Sequence, residues 1–302
     1  MSIKLWLIEM RAPFLTASII PVFIGASYAF YSTGLFNLLL FILTLMGAIF
    51  LHLGTNLANE FYDFNNGTDK INKKRNPFSG GSGLLPAGQM NAGSVHGLSI
   101  VFFALASLIG LYLFFILGPI ILVFGLIGII SGYFYTNTTV NFAKRGIGEF
   151  LVGLNFGVLL VLGTFFVQTG MLSLSAVFVS LPIAFLVTGI LYINQFPDYE
   201  ADKKTGKTNL VVKMGRKKAV TGYIFLISLV YATIILYVAS GFLPLASLLA
   251  LITIPIAMKS VKIAKKHHSA FPQIIPAQSS TIMNHLVTGI ILIITILIST
   301  LL

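Results

Sequence analysis

Apolar runs long enough to cross a bilayer, about 18–25 residues, alternate with short polar breaks along almost the whole chain. They predict nine membrane-spanning helices, at roughly 13–32, 37–59, 94–117, 119–137, 147–169, 173–196, 218–239, 242–259 and 279–301. Several breaks are very short: Gly118-Pro119, Gly170 and Gly241 serve as turns between paired spans. Pro182 and Pro255 fall inside runs and are expected to kink their helices without ending them. The expected fold is an all-α polytopic membrane protein, with two four-helix halves plus a ninth helix around a central cavity. The 302 residues are read as a single integral-membrane unit with an internal repeat, about 1–137 and 147–259, and a ninth helix at about 279–301.

Composition agrees with this pattern. The chain is 57% hydrophobic and only 9% charged, which excludes a soluble domain of this size. It has no cysteine, so disulfides and thiolate metal sites are excluded. Glu9 and Arg11 precede the first span and no small-residue cleavage site follows, so that span is expected to be a retained helix and not a signal peptide.

Charge supplies the orientation. All 19 Lys and Arg fall in the N-terminal tail, 70–75, 144–145, 203–218 and 259–266. With nine spans these segments share one side, which the positive-inside rule makes cytoplasmic, with the N-terminus in and the C-terminus out. The protein is expected in the cytoplasmic membrane, its active site on the cytoplasmic side. The net charge of +11 also suits anionic head groups or a phosphorylated substrate.

The acids are placed less uniformly. Of eight acidic residues, six lie in two short windows: Glu60, Asp63 and Asp69, then Asp198, Glu200 and Asp202. The windows contain similar strings, N-E-F-Y-D-F at 59–64 and N-Q-F-P-D-Y at 194–199. A carboxylate drawn to the bilayer centre costs about 2.5–3.5 kcal/mol, so writing such a phrase twice beside apolar helices requires a reason. Asn56, Asn59, Glu60 and Asp63 are related as i, i+3, i+4 and i+7 and share one helical stripe. Asn194, Asp198 and Asp202 share another if the helix continues past Pro197. An offset of 135 residues aligns the two windows, and the repeat suggests that the stripes face each other across the bundle.

Converging carboxylates repel by roughly 3 kcal/mol per pair at an effective dielectric near 20, so a cation is expected among them. Oxygen donors without His or Cys favour a hard ion, Mg²⁺ before Ca²⁺. Mg²⁺ takes one or two carboxylates together with substrate phosphate oxygens. Basic residues follow both windows: Lys70, Lys73, Lys74 and Arg75, then Lys203, Lys204 and Lys207. Acids, a metal and flanking bases together describe a diphosphate site.

These residues resemble the UbiA superfamily of intramembrane prenyltransferases, whose first motif reads N-D-x-x-D with a further Asp and whose second reads D-x-x-x-D. Here the first reads N-E-F-Y-D-F-N-N-G-T-D, with Glu60 replacing the usual Asp and Asp69 six residues after Asp63. The commoner spacing is four, and the longer one is similar to the menaquinone branch, whose members act on 1,4-dihydroxy-2-naphthoate. W-L-I-E-M-R-A-P-F-L at 6–15, G-G-S-G-L-L-P-A-G-Q at 80–89 and K-R-G-I-G-E-F at 144–150 resemble phrases of that branch. D-Y-E-A-D-K-K-T-G-K at 198–207 completes the second motif, so the resemblance runs from residue 6 to about 215.

The resemblance implies Mg²⁺-dependent transfer of a polyprenyl group from a polyprenyl diphosphate to an aromatic acceptor. Metal is then held chiefly by Asp63 and Asp198, with Asn59, Glu60, Asp69, Asn194 and Asp202. Arg145, Lys144, Lys203 and Arg75 are the candidates for binding the diphosphate, with Lys144 and Arg145 aiding its departure. Tyr135 and Tyr133 are candidates for shielding an allylic cation, or for interfacial anchoring. Arg11 and Glu149 match family phrases and are candidates for the acceptor end. Each five-carbon unit gains very roughly 4 kcal/mol on leaving water, at about 0.8 kcal/mol per CH₂, so such a site is expected to open to lipid. No nucleic-acid partner is expected.

Other features read more plainly. His52 shares the stripe of Asn56 and Asn59 and is read as a packing histidine; His267-His268 is read as a basic interfacial loop. The G-G-S-G stretch lacks the Walker Lys-Ser/Thr and is read as a flexible cap or a linker. A divalent-cation transporter is the rival from another class, but it expects carboxylates near mid-bilayer on broken helices. The D-G…A-R…G…D spacing of CDP-alcohol phosphotransferases is absent. Within the superfamily, geranylgeranylglyceryl phosphate and 4-hydroxybenzoate are the alternative acceptors.

Overall fold

The computed structural model describes residues 2–301. Regular structure among them is helical, apart from an isolated bridge between Asn76 and Ser79. Among the described residues, eight helices are long and apolar enough to cross a membrane, and a ninth is shorter. In chain order they are α1 (Ala12–Thr33), α2 (Leu38–Asn65), α3 (Ala92–Leu117), α4 (Ile120–Tyr133), α5 (Gly148–Thr169), α6 (Leu174–Lys204), α7 (Arg216–Ala239), α8 (Leu245–His267) and α9 (Ile275–Ile298). A helix at Ile3–Glu9, capped by Ser2, precedes them.

Eight of the nine expected spans appear at crossing length, and the fourth, expected at about 119–137, is a shorter helix. α4 stops at Tyr133, earlier than the apolar run, and at 1.5 Å per residue is too short for a hydrocarbon core of about 30 Å. The chain turns away there because Thr136 is held from two sides. Its hydroxyl donates to Asn59 Oδ1 at 2.9 Å, and its carbonyl accepts from Asn66 and Asn141. α6 runs on through both Pro182 and Pro197, past the end of its apolar run, and so carries the second acidic window on regular helix. α2 extends likewise to Asn65.

Burial orders the bundle. In α6, 72% of the apolar window is buried, against 11% in α3, so α6 is central and α3 peripheral. Side chains such as Phe115, Leu245 and Ile252 point outward, as lipid-facing positions of a spanning bundle do. Close approach of α1 and α5 depends on Gly25, where a Cβ would lie 2.8 Å from Thr164 Cβ. Between Gly153 and Leu159, α5 widens into a π-helical segment, a feature common beside functional sites.

Candidate active site

One cavity of about 390 Å³ follows α2 from Leu43 to Asp63. At 1.5 Å per residue that stretch spans about 30 Å, the thickness of a bilayer core. Its α2 wall includes Leu43, Gly47, Leu51, Asn56, Glu60 and Asp63, so the polar stripe and the apolar stripe are one continuous helix face. α6 contributes Val187, Leu191, Asn194, Asp198 and Asp202 in the same way. The opposite wall comes from α3 to α5, including Leu113, Phe124, Asn155, Phe156 and Gly163. Thus the polar end is built by both acidic windows and the remainder is largely apolar.

The two windows interlock through the segments that follow them. Asn72 donates to Asp198 Oδ1 at 2.8 Å, and Lys207 Nζ lies 3.2 Å from Asp63 Oδ2. Asp202 Oδ2 accepts from Asn209 at 2.7 Å. Asn194 Oδ1 accepts from Gln278 of α9 at 3.0 Å. Glu149 Oε1 accepts from Gln195 at 2.9 Å and from the Leu210 amide at 2.8 Å, while its Oε2 is buried without a partner.

The glycine-rich segment roofs this end. Ser82 donates its amide to Glu60 Oε2 at 2.9 Å and its hydroxyl to Glu9 Oε2 at 2.5 Å. Gly81, at φ +72°, leaves no room for a side chain: a Cβ there would sit 3.0 Å from both Glu60 Oε2 and Asp69 Oδ2. Arg11 adopts left-handed backbone at φ 53°, uncommon for a non-glycine residue. Its guanidinium donates to the Phe78 carbonyl at 3.0 Å and packs over Phe14, which ties the N-terminal segment to the roof.

Electrostatics outside the spans reflect this crowding. Burial, then Asp63 and Glu60, push the Asp69 carboxyl up to about 9, against smaller opposing effects of Lys207 and Arg75. Burial, then Glu60, raise Glu9 to about 7. Burial works to lower the Lys207 ammonium, but Asp63 and Asp202 outweigh it and hold it above the usual lysine range. Burial, then Glu149, raise the Tyr135 phenol, so it remains a hydrogen-bond donor.

Residues 18–271 match the UbiA prenyltransferase family. The chain belongs to that family. It is a prenyltransferase of the membrane, and the cation-transport alternative gives way to that membership. It is 30% identical over 285 residues to a 1,4-dihydroxy-2-naphthoate octaprenyltransferase from Bacillus subtilis, covering 94% of this chain and 89% of the relative. Its fold is similar to that of a UbiA homologue from Aeropyrum pernix, with TM-score 0.72, 17% identity, and 93% and 97% of the two chains covered. It is also similar to a UbiA homologue from Archaeoglobus fulgidus solved with DMAPP and Mg²⁺, with TM-score 0.61, 18% identity, and 95% and 98% covered.

Against this prenyltransferase background, the expected site residues divide into two groups. Asn59, Glu60, Asp63, Asp69, Asn194, Asp198, Asp202, Tyr135, Arg11 and Glu149 all line the cavity. Lys144, Arg145, Lys203, Arg75 and Tyr133 are not among its lining residues. The exposed Arg145 donates Nε to Val140, and Lys203 lies 6.0 Å from the Tyr199 ring on the outer face of α6. Arg75 braces the roof by donating to the carbonyls of Gly80 and Asp69. Tyr133 accepts a hydrogen bond from Tyr62. Lys144 contributes its carbonyl, which accepts from the Thr208 amide at 3.3 Å and from the Thr208 hydroxyl.

Lys207 instead is the lysine that enters the cavity wall. A signal for it was present in K-K-T-G-K. Gly206, at φ +71° just beyond the end of α6, reverses the chain and turns Lys207 back toward Asp63. Asn72, Ser82 and Gln278 left no comparable signal, because their partners are far away in sequence.

The donors suit a divalent cation of the hard class. They are carboxylate and amide oxygens, and Asp69 Oδ2 is buried without a partner beside Glu60. Among the described residues no group of three His, Asp or Glu closes into a ready metal cage. That openness fits an ion that takes few protein ligands and completes its shell with water and substrate phosphate.

Proposed function

We propose that this chain transfers a polyprenyl group from a polyprenyl diphosphate to 1,4-dihydroxy-2-naphthoate, with Mg²⁺ as cofactor, on the cytoplasmic side of the membrane. What carries the proposal is one cavity with six carboxylates and two cationic side chains at its polar end and an apolar trough beyond it. Such a cavity suits a molecule with a diphosphate head and a long hydrocarbon tail. The identity across 94% of the chain to a naphthoate octaprenyltransferase supports the acceptor, as does the six-residue gap from Asp63 to Asp69. The side that carries every Lys and Arg supports the cytoplasmic orientation.

In this reading Asp63 and Asp198 hold the metal, and Asn59, Glu60, Asp69, Asn194 and Asp202 complete or support its surroundings. The cation supplies positive charge where negative charge develops on the departing diphosphate. Lys207 and Arg11 supply further charge to its oxygens. Tyr135 faces the reacting end and attracts an allylic cation by its ring. Glu149, with Oε2 unpartnered, is the carboxylate assigned to the acceptor's hydroxyl proton. Roofing by Gly81 and Ser82 excludes water, which would otherwise capture the allylic cation.

The test incubates purified protein, Mg²⁺ and a labelled polyprenyl diphosphate with 1,4-dihydroxy-2-naphthoate, 4-hydroxybenzoate or geranylgeranylglyceryl phosphate. Transfer to the naphthoate is expected to dominate. Faster transfer to either rival acceptor would overturn the assignment. Asp63→Ala and Asp198→Ala are each expected to lower transfer by about 100-fold or more.

A further inference from the structure

Six carboxylates and only two cationic side chains, Arg11 and Lys207, line the cavity. The Arg11 guanidinium is engaged with the Phe78 carbonyl and the Phe14 ring. Lys207 is the one of the two that forms an ion pair with a carboxylate of the cluster. Its Nζ is 3.2 Å from Asp63 Oδ2, and both side chains are largely buried, 17% and 19% exposed.

Lys207 stands on a fixed base. Its amide donates to the Asp202 carbonyl at 2.8 Å, and the next amide donates to the Lys144 carbonyl. Asn209 is bound to Asp202, and Leu210 to Glu149. The backbone on both sides of Lys207 is pinned, while a four-carbon stem leaves the ammonium free to exchange partners.

We propose that Lys207 is a tethered counter-ion that competes with the divalent metal for Asp63, so that the metal binds well only together with a diphosphate. Lys207 neutralises Asp63 when no diphosphate is bound, and a metal arriving alone must displace it. A diphosphate offers the ammonium other oxygens, so Lys207 swings from Asp63 to the substrate and opens that carboxylate to the metal. Premature loading of metal without substrate is thereby disfavoured, and the two bind with positive coupling. The inference rests on the metal-diphosphate reading above but requires no particular acceptor.

The experiment measures Mn²⁺ binding by electron paramagnetic resonance to the purified full-length protein in detergent. It compares wild type, Lys207→Gln and Lys207→Arg, with and without inorganic pyrophosphate, and accounts for the Mn²⁺–pyrophosphate complex in solution. Without pyrophosphate, Lys207→Gln is expected to bind Mn²⁺ at least about tenfold more tightly than wild type, one step of RT ln 10. Lys207→Arg is expected to follow wild type. With pyrophosphate, wild type is expected to gain at least as much, and Lys207→Gln less. Equal or weaker Mn²⁺ binding by Lys207→Gln in the absence of pyrophosphate overturns the proposal. Should that variant not fold, wild type alone decides: Mn²⁺ affinity that pyrophosphate leaves unchanged overturns it equally. No acceptor is present, so loss of the naphthoate assignment leaves these outcomes standing.

Discussion

Asn72 donates its side-chain amide to Asp198 Oδ1 at 2.8 Å, across 126 residues of sequence. The contact ties the segment after the first acidic window to the second window. Hydrogen bonds to a charged group contribute about 1.5–3 kcal/mol. Asn72→Ala is therefore expected to lower prenyl transfer about tenfold or more. Asn72→Asp, which sets a like charge beside Asp198, is expected to fall further. Steady-state transfer of a labelled donor checks both; an Asp variant as active as the Ala variant contradicts the contact's role.

Gly81 is expected to tolerate no side chain. A Cβ 3.0 Å from two carboxylate oxygens, at φ +72°, strains the backbone and lifts the roof. Gly81→Ala is expected to cost about 1–3 kcal/mol and to depress transfer while the protein still inserts in membranes. Thermal unfolding in detergent, read beside transfer rates, separates the two effects.

Glu9 gives a pH prediction with a definite sign. Burial, then Glu60, raise its carboxyl from 4.5 to about 7, so folding favours the neutral acid. Its contribution to stability is full below about 4.5 and is lost as pH rises through about 7. Glu9→Gln, which keeps a neutral group at this position, is expected to gain stability relative to wild type between those values. The difference between their unfolding temperatures, measured from pH 4 to 8, reads this out. A difference that stays flat contradicts the assignment.

Gly163 tests the trough. It lines the cavity, and a Cβ there would meet Phe124 at an ordinary 3.6 Å, so a larger side chain projects into the space without breaking the helix. Gly163→Leu is expected to lower kcat/KM for long polyprenyl diphosphates about tenfold more than for a five-carbon donor. One methylene contributes about 0.8 kcal/mol, so a few blocked contacts suffice. Equal losses for both donors exclude the trough as the tail's position.

Much of the site was legible because two kinds of signal were local. Asn59, Glu60 and Asp63 sit on consecutive turns of one helix, and Asn194, Asp198 and Asp202 on those of another. Helical period alone groups each set. Which lysine meets Asp63 is not legible in sequence, because a run such as Lys203-Lys204-Thr205-Gly206-Lys207 offers three ammonium groups and the turn at Gly206 selects one. In sequence the roof reads only as a cap or a linker, since the contacts of Ser82 with Glu9 and Glu60 cross 73 and 22 residues.

By itself the sequence determined the helical membrane class, the apolar runs and the two acidic stripes, because hydropathy and helical period act over one or two turns. Only the tertiary structure decided which charges meet. Lys207 and Asp63 are 144 residues apart, and they come to 3.2 Å where the short helix Thr68–Ile71 that follows α2 packs against α6. Pairing of that kind depends on where whole helices cross, and the 3.6-residue period of one helix carries no record of its neighbour's position.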